Sequence, residues 1–150
     1  MKKIFFVLFF VAFVLLLVIF SEAVVLKHAK PTARIGNQIF NIEIAKTQKA
    51  REKGLAKYNS IPQNFGMLFP FGKVGYYAFW MKDMKFPIDI IFIRNGKIIK
   101  IYKDVPAPNT PDSTLPIYKP DQVSDTVLEI NSGLSDKYGF GEGDSVKISL

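Results

Sequence analysis

Residues 79–93, FWMKDMKFPIDIIFI, are almost wholly apolar, yet Asp89 stands in the middle of them. A carboxylate in such a run needs a partner or a purpose, because burying an unpaired charge is expensive. Glu129 is a second acid in an apolar stretch, within VLEI at 127–130. Two carboxylates can hydrolyse a glycosidic bond, one as acid and one as nucleophile or base, when held at a specific separation. Joined by Lys82 and by the single tryptophan, Trp80, they can instead bind a sugar ring stacked on the indole. Each residue also has a plainer role. Lys82 can lay its stem over Trp80, Glu129 can pair with a lysine across a sheet, and an aromatic cluster at strand spacing can simply be core.

Other chemistries are closed to this chain. It has no cysteine, which excludes disulfides and thiolate catalysis and argues against structural zinc. Its one histidine, His28, follows an N-terminal apolar run and reads as a solvated stalk residue, so no Ser-His-Asp or Cys-His arrangement is available. Asp83, Asp89 and Glu129 are possible oxygen ligands for calcium, but Gly141-Glu142-Gly143-Asp144 lacks the acid density of a calcium loop and reads as a tight turn. No metal and no cofactor is expected. The net charge is +7, and setting aside Lys2, Lys3 and Glu22 leaves +6 on the remainder. The lysines are scattered, with no basic stripe interleaved with aromatics, so nucleic acid is not an expected partner.

The elements that would position these residues are mostly strands. Ala33–Ala45 reads as a hairpin turning at Gly36-Asn37. Thr47 can cap a short helix through about Leu55, where Gly54 either ends the helix or permits close packing. Gly66–Phe71 and the aromatic Tyr77–Lys82 read as strands. Ile88–Arg94 and Lys97–Asp104 flank Asn95-Gly96, the two-residue turn with positive φ at both positions. Val105–Pro120, with Pro106, Pro108, Pro111, Pro116 and Pro120, reads as a loop. Val123–Ile130 is a further strand, Ser132–Tyr138 one or two helical turns before Gly139, and Ser145–Leu150 the last strand. The fold class is mainly β: a single-domain sandwich or partly closed barrel with one or two short helices.

A regular ladder running back from the turn at 95–96 predicts where Asp89 lies. Arg94 faces Lys97, and Asp89 faces Tyr102 with Lys100 on the diagonal. Ile88, Ile90, Phe92, Ile99 and Ile101 then share the core face. Asp89 shares the second face with Ile91, Ile93, Ile98, Lys100 and Tyr102, and that face is expected to line a partly apolar pocket near Trp80. Lys100 or Lys82 and the Tyr102 hydroxyl would hold the carboxylate ionised.

Residues 4–20 contain no polar side chain and follow Lys2 and Lys3. With Ala23–Leu26 they approach the roughly 20 apolar residues of an uncleaved span. The domain division is therefore an N-terminal anchor or signal segment at 1–26, a linker at 27–32 and an exported β-rich domain at 33–150. The expected partner is the membrane, through residues 4–26, with the domain on the extracytoplasmic side. The alternative is cleavage near Ala23 and secretion.

Ala45-x-Thr47, Arg51-x-x-Gly54-Leu55, Gly66-Met67-Leu68-Phe69, Phe79-Trp80-Met81-Lys82, Pro87-Ile88-Asp89-Ile90-Ile91-Phe92, and Leu128-Glu129 with Gly133 and Gly143-Asp144 come in a fixed order. That series resembles the prokaryotic family called domain of unknown function 192, also uncharacterised protein family 0127, over roughly residues 33–150. The family usually has Met where this chain has Ala56, and Asn-Thr where it has Asp83-Met84. The resemblance implies a β-rich single domain, often behind a signal or anchor, and no established activity. The polar residues inside the motifs are Arg51, Lys82, Asp89 and Glu129. With Trp80 and Tyr102 they form the candidate ligand-binding set, and Asp89 and Glu129 are the candidate catalytic pair. The expected function is a surface-displayed binding or accessory module for a small polar ligand, a glycan or an envelope component. A hydrolase acting on a glycan-like substrate through Asp89 and Glu129, and a structural partner in an envelope complex, are the alternatives.

Overall fold

The computed structural model describes residues 2–27, 30–109 and 114–150, with side chains of only 6–20 in the first stretch. His28 and residue 29 of the proposed linker, and residues 110–113 of the proline-rich loop, lie outside the described residues. The chain divides into two units, Met1–Lys30 with Leu150 and Pro31–Ser149. In the first, Lys2–Lys27 is a helix, α1. Its described side chains, 6–20, are all exposed. Among the described residues no helix is long and apolar enough to cross a membrane.

The second unit is built on one seven-stranded sheet. Its strands are β1 (Thr32–Ile35), β2 (Gln38–Ile44), β3 (Phe65–Gly75), β4 (Ile88–Arg94), β5 (Lys97–Val105), β6 (Ser124–Asn131) and β7 (Val146–Ser149). The order across the sheet is β5-β4-β6-β3-β2-β1-β7. The outermost strands meet again at one end. Ile98 N donates to Asp144 O at 2.9 Å, Gly143 N to Ile98 O at 2.8 Å and Val146 N to Gly96 O at 2.8 Å. The sheet therefore curls into a partly closed barrel.

Curling gives the sheet two buried faces. The concave side packs Ile35, Phe40, Ile91, Ile93, Ile98, Leu128, Phe140 and Val146 against one another. The convex side packs Leu55, Met67, Phe69, Met81, Ile88, Ile90, Phe92 and Val127 under the connections. β4 lies between two strands and between two cores, so Ile88–Ile93 are all buried. That is why its sequence reads as a continuous apolar run rather than an alternation.

Several expected elements are present. Asn95 and Gly96 adopt φ of 51° and 68° and form the β4–β5 turn. Thr47 caps α2 (Gln48–Lys53), accepting from Ala50 N through Oγ1 at 3.1 Å. A 3-10 turn, Gly54–Lys57, follows directly. α3 (Leu134–Tyr138) ends at Gly139 with φ 68°. β2 and β3 pair in parallel, so the chain between them must cross over, and α2 with the 3-10 turn packs residues on the convex core.

Tyr77–Lys82 is not a strand. Over Gly66–Leu68 both edges of β3 are taken, by β2 and β6, and Tyr77–Lys82 joins no ladder beyond the isolated Phe79–Tyr118 bridge. The segment folds over the convex face instead. It is tied down by a two-bond bridge between Phe79 and Tyr118, both bonds 2.8 Å, and by buried Met81 and Met84.

Candidate functional site

Asp89 does not face Tyr102. An irregularity after Ile93–Ile98 makes Phe92 pair with Lys100 and Ile90 with Tyr102, leaving Ile99 as the extra residue. One added residue moves every later side chain of β5 to the other face. A second irregularity sets Ile88 opposite Val105, with Asp104 at φ 51° beside Asp89. Asp89 is fully buried. It accepts from Asp104 N at 2.9 Å and Gly133 N at 3.2 Å through Oδ1, and from Ser135 N at 2.8 Å through Oδ2. Those amides belong to the bulge of β5 and the first turn of α3, so Asp89 pins both to the sheet.

The partners expected for Asp89 are engaged elsewhere. Tyr102 Oη donates to Lys119 O at 2.6 Å. Lys100 lies 3.7 Å from Glu142. Lys82 stands over the Trp80 ring at 5.6 Å. The face shared by Asp89, Ile91, Ile93 and Ile98 lines the concave core rather than a pocket.

A cavity of about 270 Å³ opens on the convex side, lined among others by Arg51, Leu55, Phe69, Trp80, Lys82 and Glu129. Its size is near the lower end for small-molecule sites, roughly 300–1,000 Å³. The structure therefore brings together Arg51, Trp80, Lys82 and Glu129, and leaves Asp89 and Tyr102 out. Asp89 pairs with Ile130 and Ile90 with Glu129 across β4 and β6. Because side chains alternate along a strand, the two acids lie on opposite faces of the sheet.

Glu129 is held by close strand packing. Met67 is its partner on β3. A Cβ on the adjacent Gly66 would sit 2.7 Å from Glu129 O, so only glycine lets β3 and β6 approach this closely here. The Glu129 side chain points to the cavity floor, where Gly54 brings the chain within 4.0 Å of Oε2 for a Cβ built there. The residue is 6% exposed, and Oε2 has no hydrogen-bond partner among the described residues. Burial pushes its pKa up to about 8, so at neutral pH Glu129 is an uncharged acid able to donate and accept a hydrogen bond.

The mouth differs from the floor. Arg51 sits over Phe71 at 5.6 Å, and its Nη1 donates to Lys46 O at 3.0 Å. Lys53, Lys82 and Trp80 are exposed around the opening, Trp80 by 49%. Phe69 and Phe79 pack edge-to-face at 5.1 Å, and Phe71 stacks on Tyr77 at 3.5 Å. The rings make a rigid apolar wall.

Sequence reasoning missed Leu55, Phe69, Phe79 and Met84 as cavity lining. The signal lay in the motif order, since Arg51-x-x-Gly54-Leu55 and Phe79-Trp80-Met81-Lys82 converge on one opening. Ala56 and Met84, two positions where this chain departs from the family's usual residues, also line it.

Residues 31–148 match the family described as DUF192, Uncharacterized ACR, COG1430. The chain belongs to this family. Two solved structures are similar to it. One is a protein of unknown function from Novosphingobium aromaticivorans DSM 12444, with 28% identity, a TM-score of 0.68, and 78% of this chain and 83% of that chain covered. The other is a putative transcription regulator from Sinorhizobium meliloti 1021, with 27% identity, a TM-score of 0.68, and coverages of 79% and 91%. No curated protein is significantly similar to the chain.

Proposed function

We propose that this DUF192 protein is a binding module for a small polar molecule, held in the cavity over Glu129 and displayed from a membrane by residues 4–26. The observation that carries the first half is the unpartnered Oε2 of Glu129, buried at the floor of an open cavity. A buried polar atom without a partner is costly, and a ligand supplies the missing hydrogen bond. The second half rests on the unbroken apolar residues 4–20 behind Lys2 and Lys3.

A glycosidase reading needs two carboxylates in one cleft, roughly 5–10 Å apart. Of the predicted pair only Glu129 lines this cavity, and the other acid there, Glu52, is exposed and accepts from Gln48 Nε2, which supports binding over hydrolysis. The relative called a putative transcription regulator would suggest DNA as a ligand. The scattered lysines of this chain, and a cavity sized for a small molecule, support the small ligand instead.

Native mass spectrometry of the full-length chain in mild detergent tests the binding reading. A bound small molecule is expected, and Ala56→Phe, which fills the cavity, is expected to remove it. A chain without added mass, whose Trp80 emission responds to none of a broad metabolite panel, overturns it. For the anchor, full-length protein should fractionate with membranes. A soluble product beginning near Val24 would show a cleaved signal instead.

A further inference from the structure

Floor and mouth of the cavity ask for different groups. At the floor, Glu129 Oε2 lacks a partner, and Phe69 lies beside it across Gly54. Burial is what raises the pKa of its carboxyl, and none of the ion pairs among the described residues involves it. At the mouth, Arg51, Lys53 and Lys82 line the opening beside a single exposed acid, Glu52. The titratable groups around the opening are these four and Tyr77. Glu129's strand neighbours Met67 and Ile90 are apolar.

Three ways of filling the site can be compared. An ammonium group at the floor would have to ionise Glu129 and form a desolvated ion pair with a single acid, after passing a cationic mouth. A carboxylate at the floor would be buried with no cation beside it. A neutral hydroxyl or carbonyl at the floor completes the Glu129 hydrogen bond without burying charge, while a carboxylate at the mouth meets Arg51 and the lysines in water-exposed surroundings.

Resting on the binding reading above, we propose that the ligand is a small hydroxy or oxo acid. Its uncharged oxygen reaches Glu129 at the floor, its compact apolar body packs on Phe69 and Leu55, and its carboxylate stays at the mouth with Arg51 and Lys82. Glu129 acts as a specificity-determining residue for the uncharged end. Arg51 and Lys82 select the sign of the charged end.

The chain's only tryptophan lies at the mouth, so its emission reports occupancy. Calorimetry and Trp80 fluorescence on the full-length chain in mild detergent would compare three probes: 4-hydroxyphenylacetate, phenylacetate and tyramine. They share one ring and differ in the hydroxyl or in the sign of the charge. 4-Hydroxyphenylacetate should bind at least about tenfold more tightly than either of the others. In Glu129→Leu, an apolar replacement on a buried strand, the preference for the hydroxylated acid over phenylacetate should vanish while the preference over tyramine remains.

Other outcomes separate the two levels of the argument. If tyramine or phenylacetate binds as well as the hydroxy acid, and Ala56→Phe blocks that binding, the cavity is a ligand site but the hydroxy-acid assignment is wrong. If no probe binds at millimolar concentration, or if binding is indifferent to both Ala56→Phe and Glu129→Leu, the site assignment and the ligand class fall together.

Discussion

Asp89 and Glu129 are buried acids on adjacent strands, on opposite faces of one sheet, and their surroundings could hardly differ more. Asp89 accepts three backbone amide hydrogens. Glu129 Oε2 accepts none and faces an open cavity. A carboxylate surrounded by donors that the chain itself supplies is a device of the fold, because its removal orphans those donors. A carboxyl with spare capacity beside a cavity is available to something outside the chain. Burial alone does not separate the two cases; the count of satisfied hydrogen bonds does.

The largest expected effect concerns protons. Folded Glu129 keeps its proton to about pH 8, whereas its ordinary value is 4.5. Between those values the folded state binds the proton that the unfolded state has released. Its contribution to stability is therefore fully present below about pH 4.5 and is lost as pH rises toward 8. Glu129→Gln cannot ionise. The unfolding free energy of the native protein, measured by denaturant titration relative to that variant, should fall by up to about 4 kcal/mol across the interval. A pH-independent difference would mean that Glu129 is charged in the folded protein and the contrast with Asp89 is false.

Asp89→Asn should cost about 3 kcal/mol, because the amide nitrogen of asparagine would point a donor at a backbone donor. Its melting transition should drop sharply while the response of Trp80 to cavity ligands survives in the folded fraction. Unchanged melting with lost ligand response would reverse the roles given to the two acids.

Gly66→Ala sharpens the account of the cavity floor. The added Cβ must push against Glu129 O, and a loss of about 2 kcal/mol is expected from overpacking, read by thermal unfolding. The smallest effect belongs to Thr47→Ala, about 1 kcal/mol for a lost helix cap. Amide exchange should quicken in α2, which carries Arg51, and leave the amides around Asp89 protected.

The hairpin at 95–96 and the cap at Thr47 were legible because each depends on a few neighbouring residues: Asn-Gly tolerates positive φ, and a threonine hydroxyl reaches the amide three residues on. The family motifs and the β-rich class were legible for a similar reason, since strand composition and turn residues are local. The cavity was only half legible. Arg51, Trp80, Lys82 and Glu129 could be named, but not their assembly.

What the tertiary structure decided is register and occupancy. A single extra residue, Ile99, moved Tyr102 away from Asp89, and period-2 reasoning has no means of detecting such a residue when both faces of the hairpin are apolar. The bridge to Tyr118 and the burial of Met81 made Tyr77–Lys82 the roof over a cavity rather than a strand. Sheet curvature made the Asp89 face a core. The sequence by itself determined most of the strands and the turns between them, because backbone sterics act within a few residues. Which acid was satisfied and which was left with an open hydrogen bond depended on amides from β5 and α3, contacts that exist only once distant segments have packed.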